Sequence, residues 1–390
     1  MDVFPEQLCE ASPRRFFFLL EKMFGGARDI FLMNPTWSEA QITAARELVK
    51  KYAENVSGTG QGRVFIASGG SGGKVRFVAH TPDTLYASAR ALISALNLPQ
   101  GKPLNCFSCL PPWHVSGLMP WVRSRVSGGE LFITEFGSFR ESEPLPDFRR
   151  GQGSFWMNSL VPTQLQRLLN RADGAEWLRQ FDFILLGGAR VSGDLISRAR
   201  AENLNIGIGY GMTETASLVA LWRPENGESL AGTPLPHAQF FISEKTGRIE
   251  IAAESLGETL SEDGMLLPNP NGRFLTGDEG ALDKSGRVSV LGRADRYINS
   301  GGEKIDPALV ETAFRDAGAA SVLVVGEKDA EWGERVVALV QEPIPDGLPS
   351  RVRSALPAWM MPKRIIGVPA LPFDGKGKLD REKLSEFLRI

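Results

Sequence analysis

Between Val64 and Gly209, short apolar runs alternate with helical patterns, and that alternation restricts the fold more than any single residue does. The runs are Val64–Ala67, Asn105–Leu110, Glu130–Thr134, Phe155–Leu160, Phe183–Leu186 and Asn205–Gly209. Helical periodicity over Pro82–Ala95, Pro162–Arg171 and Asp194–Glu202 separates most of them. Strand alternating with helix predicts a largely parallel sheet flanked by helices. After about residue 230 the texture changes to short strands with glycine turns: Gln239–Ser243, Arg248–Ala252, Gly280–Asp283 and Val288–Leu291. They predict a small β-rich subdomain attached to the α/β core. Further on, Asp306-Pro307 opens a helix over Pro307–Ala317, and Ser321–Gly326 and Arg335–Gln341 read as strands of a small α+β domain. The expected class is α/β: a large N-terminal domain with parallel sheets and the β-rich subdomain, then the small C-terminal domain, with the boundary at Gly292–Asp295.

Composition narrows the partners. With 390 residues, 42% hydrophobic and 23% charged, the chain can build two or three packed domains. Its net charge is -2, with no clustered Lys and Arg of the kind a nucleic acid requires. Met1-Asp2-Val3-Phe4-Pro5-Glu6 is acidic and unlike a signal peptide. Phe16–Leu20 is far shorter than the roughly 20 residues that span a bilayer. No membrane association is expected, and the cytoplasm is the expected location. Three cysteines do not suggest a disulfide framework. Cys106 and Cys109 form a C-x-x-C without the second ligand pair that zinc needs. Three apart on a strand, they point to opposite faces, which favours core packing.

Three segments carry candidate chemistry. Ser68-Gly69-Gly70-Ser71-Gly72-Gly73-Lys74 comes directly after a strand. Its glycines let backbone N–H groups approach a polyanion, its hydroxyls donate, and its lysine neutralises charge. A Walker A loop would place Ser or Thr after the lysine; here Val75 stands there, and a plain flexible loop is the alternative. Gly187-Gly188-Ala189 comes after a buried strand and leaves room for a flat group, or simply forms a tight strand-to-helix turn. In Gly209-Tyr210-Gly211-Met212-Thr213-Glu214, Tyr210 can stack on a purine and Thr213 can donate to a phosphate. Glu214 offers magnesium a hard oxygen; alone it would read as a helix N-terminal carboxylate. Downstream, Asp278 sits in an expected strand-end loop after Phe274-Leu275-Thr276-Gly277, where it could accept ribose hydroxyls or serve a turn.

These pieces, followed by Gly292-Arg293-Ala294-Asp295 and Gly375-Lys376-Gly377-Lys378-Leu379-Asp380-Arg381, resemble in their order the adenylate-forming superfamily of acyl-CoA synthetases. The resemblance runs from roughly Val64 to the C-terminus and implies activation of a carboxylate with ATP. It makes Ser68–Lys74 the phosphate-gripping loop; the family's proline-lysine ending is missing, so Lys74 or Arg76 supplies the cation. It assigns Gly187, Gly188 and Ala189 to adenine and its junction with the substrate, Tyr210, Gly211, Met212 and Thr213 to the nucleotide, and Asp278 with Arg293 to ribose. Lys378 is implied as the lysine that offsets charge on the phosphoryl oxygens and leaving pyrophosphate, with Lys376 solvated. Asp295 matches the hinge. The implied organisation is an adenylation domain over 1–292, a hinge at 293–295 and a mobile domain over 296–390. Its face around Ser300-Gly301-Gly302-Glu303-Lys304-Ile305 replaces Lys378 when CoA reacts.

Leu110-Pro111-Pro112-Trp113-His114-Val115-Ser116-Gly117 and Ser159–Leu169 look like one branch, the o-succinylbenzoate–CoA ligases of menaquinone and phylloquinone synthesis. The branch implies His114 and Trp113 along the acyl tunnel; a satisfied core histidine is the plainer account. O-succinylbenzoate keeps a spectator carboxylate that is costly to bury unpaired. Arg167 can meet it bidentately, or be a solvated helix arginine. The implied partners are a small carboxylic acid, ATP with Mg2+, and CoA. The alternatives are a ligase for another aryl or fatty acid and a silent nucleotide-binding relative. The chain ahead of the phosphate loop is shorter than is usual in the family.

Overall fold

The computed structural model describes residues 6–389 apart from 25, 27, 57–61, 70–74, 100, 135–138, 140–142, 149, 151–152, 190, 225–230, 294–297, 301–302, 330–331 and 374–378. The chain divides into two compact units. One holds residues 1–245, 249–276 and 281–289; the other holds 246–248, 277–280 and 290–390.

Two sheets build the first unit. Glu6–Leu8, Ile30–Leu32 and Val64–Gly69 are parallel neighbours, and Val75–His80, Glu258–Leu260 and Leu266–Leu267 extend them antiparallel. The second sheet begins with five parallel strands in the order Leu131–Ile133, Leu104–Ser108, Phe155–Leu160, Phe183–Leu186 and Ile206–Met212. It continues through Ser217–Trp222, Ala231–Pro234, Val288–Arg293, Phe274–Leu282, Arg248–Ala253 and Ala238–Ile242, with antiparallel pairing from Ile206–Met212 to Val288–Arg293 and again between the last two. Residues 277–280 and 290–293 of that extension group with the other unit.

The expected alternation is present, with one difference. Val64–Gly69 belongs to the first sheet, because its backbone pairs with Ile30–Leu32 and Val75–His80 and not with the later strands. The β-rich stretch expected after residue 230 is present and attached to the core: most of it extends the second sheet, and Glu258–Leu260 and Leu266–Leu267 join the first.

Hydrophobic burial fixes the parallel strands in place. The ring of Phe107 stacks on Phe132 at 5.2 Å and meets Phe148, Trp177 and Phe181 edge-on. Burying one such side chain contributes about 1.5–3 kcal/mol. Cys106 and Cys109 are in the core, and burial pushes both thiols up to about 12, so neither is a thiolate at neutral pH. The apolar run near the N-terminus forms the helix Pro13–Met23, which buries Phe16, Phe17 and Leu20 and exposes Phe18. Among the described residues no helix is long and apolar enough to cross a membrane.

In the second unit, Glu303–Ile305, Ile298–Ser300, Gly333–Gln341 and Val322–Asp329 form a sheet, with Arg364–Val368 parallel to Gly333–Gln341. The helix Pro307–Asp316 starts where Asp306 accepts the Ala308 N–H at 2.9 Å, as the sequence predicts. It buries Val310 and Phe314 against Val324, Val336 and Ala338.

Candidate active site

In parallel sheets, ligands bind outside the carboxyl ends of the strands, and two of the expected segments lie there. Phe183–Leu186 ends at Gly187, whose N–H donates to the Leu160 carbonyl at 3.2 Å. Gly188 comes next with a φ of 79°, a left-handed conformation that favours glycine. The next helix, Gly193–Ala201, is capped by Ser192, whose Oγ accepts the Leu195 N–H at 3.2 Å. Ser192 is thereby accounted for structurally.

The hairpin of Ile206–Met212 and Ser217–Trp222 carries the second segment, joined by the turn Thr213–Thr215. Gly207, Gly209 and Gly211 share one face of the first strand, and packing accounts for all three. A Cβ at Gly209 would lie 2.1 Å from Leu218 Cδ2, and one at Gly211 would lie 1.7 Å from the Ser217 carbonyl oxygen. The Tyr210 side chain lies on the other face, half-buried, with its ring 6.2 Å from that of Phe240. Met212 packs partly buried beside the same cluster.

Ala216 and Ser217 come after the turn with φ of 49° and 84°. For residues with a Cβ, such conformations cost of order 1–3 kcal/mol each and persist only when surroundings impose them. Here the surroundings do so. Ser88 Oγ, buried, donates to the Ala216 carbonyl at 2.7 Å. Thr215 Oγ1 accepts the Met212 N–H and donates to the Ser217 carbonyl at 2.7 Å. Arg123, 1% exposed, donates from Nη2 to Ser217 Oγ at 3.3 Å, and burial lowers its pKa to about 10.

Two further bonds hold the residues of interest. His80 Nε2 lies 2.7 Å from the Thr213 carbonyl, which can only accept, so Nε2 carries the proton. The Gly257 N–H donates to the Glu214 carbonyl at 2.9 Å. Thr213 and Glu214 are thus presented by a turn whose backbone is fixed from several directions. Sequence reasoning missed His80, Ser88, Arg123 and Gly257. The strand ending at His80 gives no local sign of a partner 133 residues away.

Burial lowers the His80 pKa from 6.5 to about 4, so the ring is neutral near neutral pH. Between those values the unfolded chain binds a proton that the folded chain does not, so stability falls as pH drops from 6.5 towards 4 and is unaffected above. The full effect is about 3 kcal/mol. Denaturation midpoints of wild type and His80→Gln between pH 4 and 7 are expected to show the steeper loss in wild type; equal slopes would contradict the assignment.

The remaining expected residues are spread over both units. Ser68 is half-buried near the end of Val64–Gly69, directly across from Arg76, which is exposed on Val75–His80. The segment between them, with Gly70, Ser71, Gly72 and Lys74, lies outside the described residues, as do Asp295 and Lys378. That segment leads into the strand Val75–His80, where a Walker-type loop would lead into a helix. His114 occupies the N-cap position of the helix Val115–Ser127, without capping it through its side chain. Trp113 is 3% exposed in the core, edge-on to Phe16. Arg167 is exposed on the helix Pro162–Asn170, whose inner face is Pro162, Gln164, Leu165 and Leu168.

Asp278 and Arg293 belong to the second unit. Contrary to the expected loop, Asp278 is buried in the middle of the strand Phe274–Leu282. Gly277 reads as a breaker, but the alternation that buries Thr276, Asp278 and Gly280 runs straight through it. Arg293 ends the neighbouring strand Val288–Arg293.

A divalent cation is consistent with the donor set. Glu214 supplies a hard carboxylate oxygen, and among the described residues no cluster of three or more His, Cys, Asp or Glu forms a cage. Mg2+ is usually held by one or two carboxylates with phosphate oxygens and water.

Residues 37–261 match the AMP-binding enzyme family and residues 312–378 its C-terminal domain. The 2-succinylbenzoate–CoA ligase of Salmonella typhimurium is 33% identical over 326 residues, covering 82% of this chain and 67% of that protein. Across three such bacterial ligases the matched part spans between 60% and 68% of their length. A probable 2-succinylbenzoate–CoA ligase of Mycobacterium tuberculosis is 29% identical over 380 residues, 94% of this chain and 93% of that protein. In fold, the chain is similar to the o-succinylbenzoate coenzyme A synthetase of Bacillus subtilis in complex with ATP and magnesium ion. The TM-score is 0.71 at 24% identity, covering 96% of this chain and 82% of that one. With the family matched across the first unit and again in the second, the chain belongs to the AMP-binding enzymes.

Proposed function

We infer that this chain is an AMP-forming acid–CoA ligase whose acid is o-succinylbenzoate, acting in the cytoplasm in menaquinone or phylloquinone biosynthesis. The observation that carries the reading is the fixed turn at Thr213–Glu214, set at the carboxyl end of a parallel strand in an AMP-binding enzyme. The names of the relatives support the choice of acid. In the first half-reaction a carboxylate oxygen attacks the α-phosphorus of ATP, forming the acyl-adenylate as pyrophosphate leaves. In the second, the thiol of CoA attacks the acyl carbon, forming the thioester as AMP leaves.

Each residue has a distinct role. Gly188, Ala189 and Tyr210 bracket the adenine, with Gly187 at the junction with the acyl group and Gly211 and Met212 flanking the nucleotide. Asp278 and Arg293 bind the ribose. Ser68, Gly69, Gly70, Ser71, Gly72 and Lys74 or Arg76 hold the phosphates. Thr213 donates to the α-phosphate, Glu214 holds Mg2+, and Lys378 faces the developing charge. When bound, Mg2+ supplies charge neutralisation at the phosphates. His114 and Trp113 serve the acyl side, and Arg167 meets the spectator carboxylate. Residues 1–292 form the adenylation domain and 296–390 a mobile domain that turns about Asp295 between half-reactions.

That alternation has a direct test. Proline fixes φ near −65°, so Asp295→Pro is expected to retain acid-dependent pyrophosphate release and lose most CoA-dependent thioester formation. Unchanged overall turnover would remove Asp295 as the hinge. A wild type that releases no pyrophosphate with any acid would remove the ligase reading itself.

A further inference from the structure

We propose that His80 is a positioning residue for adenylation, acting through the backbone of Thr213 without touching substrate. Its chemical consequence rests on the ligase reading above; its structural consequence does not.

His80 is the last residue of the strand Val75–His80 and has no exposed surface. Nε2–H donates to the Thr213 carbonyl at 2.7 Å, and Nδ1 lies 3.2 Å from Thr84 Oγ1. Thr84 belongs to the first turn of the helix Pro82–Leu96, and its N–H donates to the capping hydroxyl of Thr81. The ring is therefore held at Nε2 by the turn that presents Thr213, while Nδ1 faces the Thr84 hydroxyl, whose proton also has the Thr81 carbonyl at 2.9 Å as an acceptor. Glycine at position 257 makes room for it. A Cβ there would lie 2.6 Å from His80 Cε1, while the same residue's N–H holds the Glu214 carbonyl at 2.9 Å. His80 and Gly257 thus fix two consecutive carbonyls, those of Thr213 and Glu214, from behind.

The physical need is specific. A neutral N–H donor at that depth gives the Thr213 carbonyl a second hydrogen bond, shorter than the one it accepts from the Ala216 N–H at 3.1 Å. The turn it holds runs into two left-handed non-glycine residues, a conformation that relaxes once its restraints are lost. Displacing a phosphate-contacting hydroxyl by about 1 Å costs on the order of 10²-fold in rate.

The test uses His80→Met, which keeps volume and removes the donor, and His80→Gln, whose amide can restore it, each in wild-type and Thr213→Val backgrounds. His80→Met is expected to lower kcat for pyrophosphate release by about 10–100-fold with little change in KM for the acid. It should leave thioester formation from supplied acyl-adenylate near wild type, and His80→Gln should recover most of the loss. In the Thr213→Val background, His80→Met should cost little more, because the two changes remove one contribution. Hydrogen exchange gives a second arm, independent of activity. The Ala216 amide, bonded to the Thr213 carbonyl, should exchange at least about 10-fold faster in His80→Met, with His80→Gln restoring protection. Equal exchange in all three proteins, a loss carried by KM, or additive losses in the double variant would overturn the proposal. If wild type releases no pyrophosphate, the ligase reading fails and the exchange arm still decides the role of His80.

Discussion

Lys378→Ala is expected to lower adenylation by about 10²–10³-fold and to leave thioester formation from supplied acyl-adenylate largely intact. Attack on the α-phosphorus builds negative charge on the phosphoryl oxygens and on departing pyrophosphate. A cation aimed at that charge acts mainly in the transition state, where loss of one such donor typically has this effect. The second half-reaction develops its charge elsewhere, at the acyl carbon, so it should be spared. Lys376→Ala, two residues away in the same segment, should be mild. Pyrophosphate release and single-turnover thioester formation, measured separately, distinguish the outcomes. Equal loss of both half-reactions would contradict the assigned role.

Arg167→Leu should discriminate between acids. In the chain alone Arg167 is exposed, and an exposed ion pair contributes only about 0–1 kcal/mol. An acid whose ring covers the guanidinium desolvates the pair. Removing one partner then costs about 2–5 kcal/mol, largely because the other charge is left unpaired. The expected loss in kcat/KM for o-succinylbenzoate is therefore about 30-fold or more, with benzoate and simple fatty acids nearly unaffected. Arg167→Lys should recover part, since an ammonium does not reproduce the guanidinium fork. A uniform loss across acids would assign Arg167 to positioning of the helix Pro162–Asn170.

Local pattern carried much of the fold. Phe183–Leu186 was readable to the residue because it is apolar throughout and ends at Gly187, and Phe155–Leu160 because it is apolar but for Asn158 and Ser159 and ends just ahead of Pro162. The partner of a strand is a long-range property, so nothing in Val64–Ala67 distinguishes a strand of the first sheet from one of the second. A single glycine misled: Gly277 reads as closing the strand ahead of Asp278, but the alternation of burial runs through it. Candidate chemistry was readable where residue type implies it, as at Tyr210, Thr213 and Glu214, whose roles are those proposed above. It was illegible where a side chain acts on distant backbone. His80, Ser88 and Arg123 each contact the turn across about a hundred residues of chain. Glycine was ambiguous for a physical reason: a missing side chain can admit a ligand or a neighbouring strand, and at Gly209 and Gly211 the neighbour accounts for it.

The most direct measurement is thioester formation by the wild-type chain with ATP, Mg2+ and CoA, followed by mass spectrometry across o-succinylbenzoate, benzoate and fatty acids. The account predicts AMP, pyrophosphate and a CoA thioester of o-succinylbenzoate, with kcat/KM well above that for any acid carrying one carboxylate. Preference for an acid with one carboxylate would contradict the choice of substrate, and absence of acyl-adenylate with every acid would contradict the assignment of Thr213 and Glu214 to catalysis.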